Sequence, residues 1–221
     1  MRAIPEILQG IIAGQDLSAR EAEEAFAAIM RGEWTPAQLG ALLMGLRMKG
    51  QRVEELVGAT RALRAFMTRV EVDDSHLVDT CGTGGDACGT FNISTAAAVV
   101  AAAAGARVAK HGNRAVSGRS GSADVLEAVG LNLDLRPAQV AACIASVGIG
   151  FLFAPAHHGA MRHAVGPRKE LGIRSLFNLM GPLSNPAGAS HQVLGVYSEA
   201  WLTPLAEAAR RTSSAEGPSA T

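Results

Sequence analysis

The chain has 221 residues, 48% of them hydrophobic and only 4% aromatic, enough for one sizeable core or for a core plus a small helical domain. Its charges balance at 20 basic against 20 acidic, which excludes a global positive field of the kind that draws a protein to nucleic acid. Cys81, Cys88 and Cys143 form neither a metal-ligand spacing nor an even disulfide set, and the alanine-rich run Thr95 to Ala104 is too short to span a bilayer, so a cytoplasmic protein without targeting or membrane segments is expected.

From Ile4 to about Met67 the apolar residues recur at helical spacing. Ser18 with Glu21 forms a capping box and Gly32 a stop; Thr35 and Pro36 open the next helix, which Gly50 ends. Leu39, Leu42, Leu43 and Leu46 make its apolar face, with Gly40 and Gly45 as small residues that admit a neighbouring helix, and a fourth helix runs from about Val53 to Met67. After a polar turn the pattern changes. Leu77 to Asp79 reads as a strand running into a glycine-rich loop, then a helix from Ser94 to Ala104. Arg107 to Lys110 is the next strand, Ser122 to Val129 and Pro137 to Val147 are helices, Ile149 to Phe153 is a buried strand, Val193 to Val196 a further strand, and Trp201 to Arg211 a last helix. The alternation predicts an α/β fold: a small N-terminal helical domain over 1–70, a larger α/β domain with a mostly parallel sheet over 71–211, and a disordered tail over 212–221. Ligands of such sheets sit at the carboxyl ends of the strands.

Two segments carry chemistry. Asp79 to Thr95 reads DTCGTGGDACGTFNIST; Gly82, Gly84, Gly85 and Gly89 bare the backbone N–H groups, and the next helix opens at Ser94 and Thr95, the makings of an anion cradle. It lacks the Gly-Lys-Ser/Thr of a nucleotide-triphosphate loop and the spacing of a dinucleotide fingerprint, and a glycine-rich turn with an ordinary helix cap would look the same from the loop alone. Lys110 to Asp124, KHGNRAVSGRSGSAD, follows the second strand and should open on the same sheet edge. Lys110 and Arg114 can neutralise phosphate there, and Asn113, Ser117, Ser120 and Ser122 can hydrogen-bond it.

Together these stretches, with HHGAMRHAVGPRKELGIRSLFNLMGPLSNPA further on, resemble the phosphoribosyl pyrophosphate signature of anthranilate phosphoribosyltransferases, and the likeness extends to about Arg210. The fold implied is the nucleoside phosphorylase/phosphoribosyltransferase-like one. The resemblance implies that Gly82, Gly85, Asp86 and Thr90 hold phosphoribosyl pyrophosphate, that Asn92, Ile93, Ser94 and Thr95 hold its phosphates, and that Ser94 also ligates Mg2+. Lys110 would meet the pyrophosphate as the catalytic residue, with His111, Gly112, Asn113, Arg114, Ala115, Val116, Ser117, Gly118 and Ser122 closing over it. Gly82, Asn113 and Arg168 are the implied anthranilate contacts, Arg168 because a guanidinium takes a carboxylate as a fork. His157, His158, His163 and His191 read as satisfied polar groups or pocket lining rather than general bases. The expected reaction, a step of tryptophan biosynthesis, joins anthranilate to the ribose with release of pyrophosphate. It needs no protein base, because the amine becomes acidic only after bonding to carbon. A homodimer through the helical domain is also implied.

Two departures stand out. Gly118 occupies a position where the family usually has serine, a loss of about 1 kcal/mol of hydrogen bonding. No Asp-Glu dipeptide occurs, although the family binds magnesium with one, and Asp73 and Asp74 read as turn residues; the expectation is a chain lacking the family's C-terminal part, with an assembled signature and little turnover. A pyrimidine nucleoside phosphorylase-like enzyme and a non-catalytic relative binding nucleic acid or a protein partner remain as alternatives, the run Lys110 to Arg114 favouring the anthranilate enzymes over the former.

Overall fold

The computed structural model describes residues 2–72, 76–84, 91–115 and 120–213. The expected features at Asp73, Asp74, Gly85, Asp86, Thr90, Val116, Ser117 and Gly118, and the tail beyond Ser213, lie outside the described residues. The chain forms two compact units that do not follow its linear order. One is built from the chain up to Phe66 with Ala160–Leu183 and the segment from Glu199 onward; the other comprises Met67–Gly159 and Ser184–Ser198. The expected division at residue 70 therefore marks only the first crossing between units. Two later segments return to the helices, because their apolar residues complete the helical core.

The first unit opens with α1 (Ile4–Ile12), α2 (Ala19–Met30), α3 (Pro36–Lys49) and α4 (Val53–Ala65). Ser18 Oγ accepts from the Glu21 N–H while the Ser18 N–H donates to Glu21, so the capping box forms as the sequence suggests; the cap expected at Thr35 also forms, with Gln38 repeating the exchange. Phe26, Ile29, Leu39, Leu42, Leu43, Leu46 and Leu56 are buried, each stabilising the unit by roughly 2 kcal/mol. The leucine stripe of α3 is thus core. A Cβ on Gly45 would lie 2.6 Å from Ile11 Cγ2, so this glycine does admit α1; one on Gly40 would meet nothing within 4 Å, which corrects the role expected for Gly40.

The second unit holds β1 (Val78–Asp79), α5 (Ile93–Ala103), β2 (Val108–Gly112), α6 (Ser122–Ala128), α7 (Pro137–Val147), β3 (Ile149–Phe153) and α8 (Ala154–His157). The chain then supplies α9 (Arg162–Leu171) and α10 (Phe177–Met180) to the first unit, β4 (His191–Gln192) to the second, and α11 (Leu202–Ser213) to the first. The described strands form a parallel sheet in the order β3-β2-β1-β4. Val70, Leu77, Ala109, Val140, Ile144 and Leu152 make its core.

Two expectations are corrected. The fourth strand is His191–Gln192 rather than Val193 to Val196. Beyond the ladder bond from the Val193 N–H to Asp79 O, the backbone turns to the glycine-rich loop, where Gly195 O accepts from the Thr83 N–H at 2.9 Å. The last helix runs through Thr212 and Ser213, which the sequence places in a disordered tail; the Thr212 hydroxyl donates to Ala208 O and Arg64 Nη1 donates to Thr212 O, which hold that turn.

Candidate functional site

β1 and β2 are neighbouring parallel strands, so both chemistry-bearing loops leave the same edge of the sheet. They meet there: Asn92 Nδ2, at the head of α5, lies 3.4 Å from Ser120 Oγ at the end of the second loop. Asn92, not Ser94, is the N-cap of α5, and its carbonyl accepts from the Ala96 N–H. Thr95 is buried with its hydroxyl unpartnered among the described residues, Ser94 is half-buried and Ile93 exposed. Gly82 is small for a reason the sequence does not show, since a Cβ there would lie 2.8 Å from Gly195 O.

Lys110 lies in the middle of β2 and is only 3% exposed. Its amine is 3.4 Å from Thr80 Oγ1, whose hydroxyl donates to Ser94 O at 2.7 Å, so the lysine sits beneath the first loop and is linked through one hydroxyl to the start of α5. Burial pushes its pKa down, while the nearby Cys81 and Asp79 pull it back up. His111 is buried on the opposite face of the strand, its Nε2 3.3 Å from His158 Nε2. His157 bonds Thr68 O and His163 packs over Gly32, so neither acts as a base at the loops. Gly112 has no room for a side chain: a Cβ would meet Ser122 Oγ at 2.2 Å and the Phe151 ring at 2.7 Å.

The second loop is closed by groups that the sequence reading missed. Asp124 accepts from the Ala115 and Gly121 N–H groups, bonds that lower its pKa. Arg114, expected to face phosphate, donates to both oxygens of Glu127 at 2.7 and 2.9 Å and to Asp124 at 3.2 Å, over the Phe153 ring; its charge is already answered within the loop and α6. Asn113 is exposed, with its Oδ1 taking the Arg114 N–H and its carbonyl taking the Ser122 hydroxyl. Asp79 and Asn185 form a buried pair below both loops.

Arg168 belongs to the first unit, on α9. Its guanidinium lies 5.0 Å from the Phe177 ring centroid and has no ion pair or hydrogen bond among the described residues, although partial burial acts against its charge. No group of three or more His, Cys, Asp or Glu side chains able to hold a metal occurs among the described residues. The Ser94 hydroxyl, without a hydrogen bond of its own there, fits one position around an ion carried in on a diphosphate, which is how Mg2+ commonly enters such sites. No described helix is long and apolar enough to cross a membrane.

The helical bundle and the parallel α/β unit place the chain in a known family: it belongs to the glycosyl transferase family whose helical bundle domain matches residues 5–67 and whose a/b domain matches 74–217. Within it, the chain is 76% identical over 211 residues to the anthranilate phosphoribosyltransferase of Acidithiobacillus ferrooxidans, covering 96% of this chain and 62% of that protein, and 65% identical over 199 residues to that of Thioalkalivibrio sulfidiphilus. Among solved structures it is similar to the Thermus thermophilus anthranilate phosphoribosyltransferase, with a TM-score of 0.88 and 48% identity over 93% of this chain and 63% of that one. The Saccharomyces cerevisiae enzyme in complex with phosphoribosyl pyrophosphate and Mg also superimposes with a TM-score of 0.88, at 27% identity, over 95% and 62% of the two chains. The chain therefore spans about six tenths of the length of these relatives.

Proposed function

We propose that this chain carries the phosphoribosyl pyrophosphate-binding part of an anthranilate phosphoribosyltransferase, acting in tryptophan biosynthesis. The observation that carries the reading is the convergence of the loops after β1 and β2 over a buried Lys110. Phosphoribosyl pyrophosphate lies against the loop at Gly82 and the head of α5 at Asn92, where the Thr95 hydroxyl, unpartnered among the described residues, gains a hydrogen bond. Lys110 supplies the positive charge beneath the pyrophosphate, and Ser122 and the backbone of Asn113 shape the other wall. Ser94 provides one oxygen for Mg2+, which offsets the charge of the leaving pyrophosphate when bound. Arg168 takes the carboxylate of anthranilate as a fork, a role supported by its lack of any counter-charge among the described residues. The work of the site is then positioning and charge stabilisation, with no protein base. Exposed Met44 and Met48, one helical turn apart on α3, fit a contact between two copies and support a homodimer.

Titration calorimetry with phosphoribosyl pyrophosphate and Mg2+, followed by fluorescence-monitored consumption of anthranilate, tests the reading. Lys110→Ala is expected to weaken phosphoribosyl pyrophosphate by roughly 10- to 100-fold, the worth of a charge-assisted contact. Arg168→Ala should weaken anthranilate selectively, and an equal loss of both ligands would contradict its assigned role. Because only protonated Lys110 opposes the pyrophosphate charge and burial lowers its pKa, affinity should fall with rising pH before the ordinary lysine range is reached.

A further inference from the structure

Asp79 ends β1 and is 1% exposed; burial pushes its carboxyl pKa up, and hydrogen bonds from Asn185 and from the His111 N–H, the charge of Lys110 and the Cys81 N–H bond pull against that. One oxygen, Oδ1, accepts from the Cys81 N–H at 3.0 Å and the His111 N–H at 3.1 Å, so a single atom fixes the first peptide groups leading into both loops. The other oxygen is held by Asn185, 106 residues away in sequence. Asn185 Nδ2 donates to Asp79 Oδ2 and to Ala109 O, both at 2.8 Å, while its Oδ1 accepts from the Ala187 N–H, which fixes the orientation of the amide. Its two donors therefore tie β1 to β2 beside Thr80 and Lys110.

We propose that Asn185 is a positioning residue of the anion site, acting through Asp79 to hold the two loops at a fixed separation around Lys110. The proposal rests on reading those loops as the pyrophosphate site. Backbone N–H groups recognise phosphate only when held to within a fraction of an ångström, and two loops on separate strands need a shared anchor to keep that relation. A carboxylic acid cannot replace the amide, since it carries at most one proton for two acceptors.

Asn185→Asp keeps the size of the side chain and sets a second carboxyl against Asp79, so the pair must share a proton. Asn185 faces Asp79 from β1; Lys110 from β2 and Cys81 from the first loop interact with that carboxyl, while His111 meets it through its backbone N–H and turns its ring to His158. Titrated with inorganic pyrophosphate, the full chain carrying Asn185→Asp is expected to bind at least roughly 10-fold more weakly at about pH 8 and to recover part of the loss toward about pH 5.5, where the pair holds its proton. The unmodified chain should gain less on the same acidification than Asn185→Asp does, any gain it shows coming from Lys110, and Asn185→Ala should be weak throughout. Amide hydrogen exchange at Cys81 and His111 should quicken in both variants, a readout that needs no ligand. Faster exchange with unchanged pyrophosphate affinity would reduce Asn185 to a structural role and overturn the proposal, as would no change in either. Absence of pyrophosphate binding by the unmodified chain strikes the reading of the loops itself, and is seen before any substitution is made. Should Asn185→Asp fail to fold, Asp79→Asn keeps the acceptor for both N–H groups while setting amide against amide; it should lose affinity without recovery in acid, and retained affinity would overturn the proposal.

Discussion

Acidification from about pH 7 to about pH 4 is expected to remove about 3 kcal/mol of folding stability through His158 alone. Burial, helped by the charge of His157, pushes its pKa from 6.5 down to about 4, and the ring is only 6% exposed. The folded pKa is the lower one, so between 6.5 and about 4 the unfolded chain takes up a proton that the folded chain refuses. Stability from this source is complete above 6.5, falls as pH falls through that window, and levels off below it. The ion-paired carboxylates Glu21 and Glu54, whose pKa values are lowered from 4.5, begin to lose their contribution only as pH falls through 4.5, at the acid end of the histidine window. Urea unfolding at stepped pH reads the slope. His158→Gln should lower stability at neutral pH but flatten the curve across the histidine window; parallel curves would exclude His158 as the source.

Gly58→Ala is expected to cost about 3 kcal/mol and lower the melting temperature by roughly 6–12 °C. A Cβ at Gly58 would lie 2.1 Å from Ala19 O and 2.7 Å from Glu23 N, so on α2 it meets backbone, which cannot rotate aside as a side chain does. The two helices must part. Gly40→Ala is the matched control: its Cβ meets nothing within 4 Å, and the helix-propensity gain is up to about 1 kcal/mol. Opposite shifts in thermal melts are expected, and shifts of the same sign would contradict the close approach of α2 and α4.

What was legible in the sequence is what is written locally. Ser18 with Glu21, the cap at Thr35 and the stop at Gly50 each act within one turn of their helix, and each forms. The order of the two loops and the place of Lys110 on a strand follow from adjacent residues for the same reason. Partners distant in sequence were not legible. Val193 to Val196 has strand composition, but which backbone it meets depends on Gly195 reaching Thr83, 112 residues away. Arg114 reads as a phosphate ligand until Glu127, thirteen residues on, is seen to take a bond from each of its Nη groups. Asn185 carries no sign of its role, because the carboxylate it holds is 106 residues upstream. The return of a later segment to the helices was hidden likewise: nothing within Ala160–Leu183 announces it.

That return has a consequence for how the protein is made. α4 is packed by α11, and its Arg64 donates to a carbonyl 148 residues later, while Glu54 accepts from both Nη groups of Arg211. At about 5–20 residues per second, a ribosome delivers that partner roughly 7–30 s after α4. The second unit's Met67–Gly159 emerges in between. For that interval the flank of α4 that α11 covers stays bare on the nascent chain, so the helices written first are among the last to be closed.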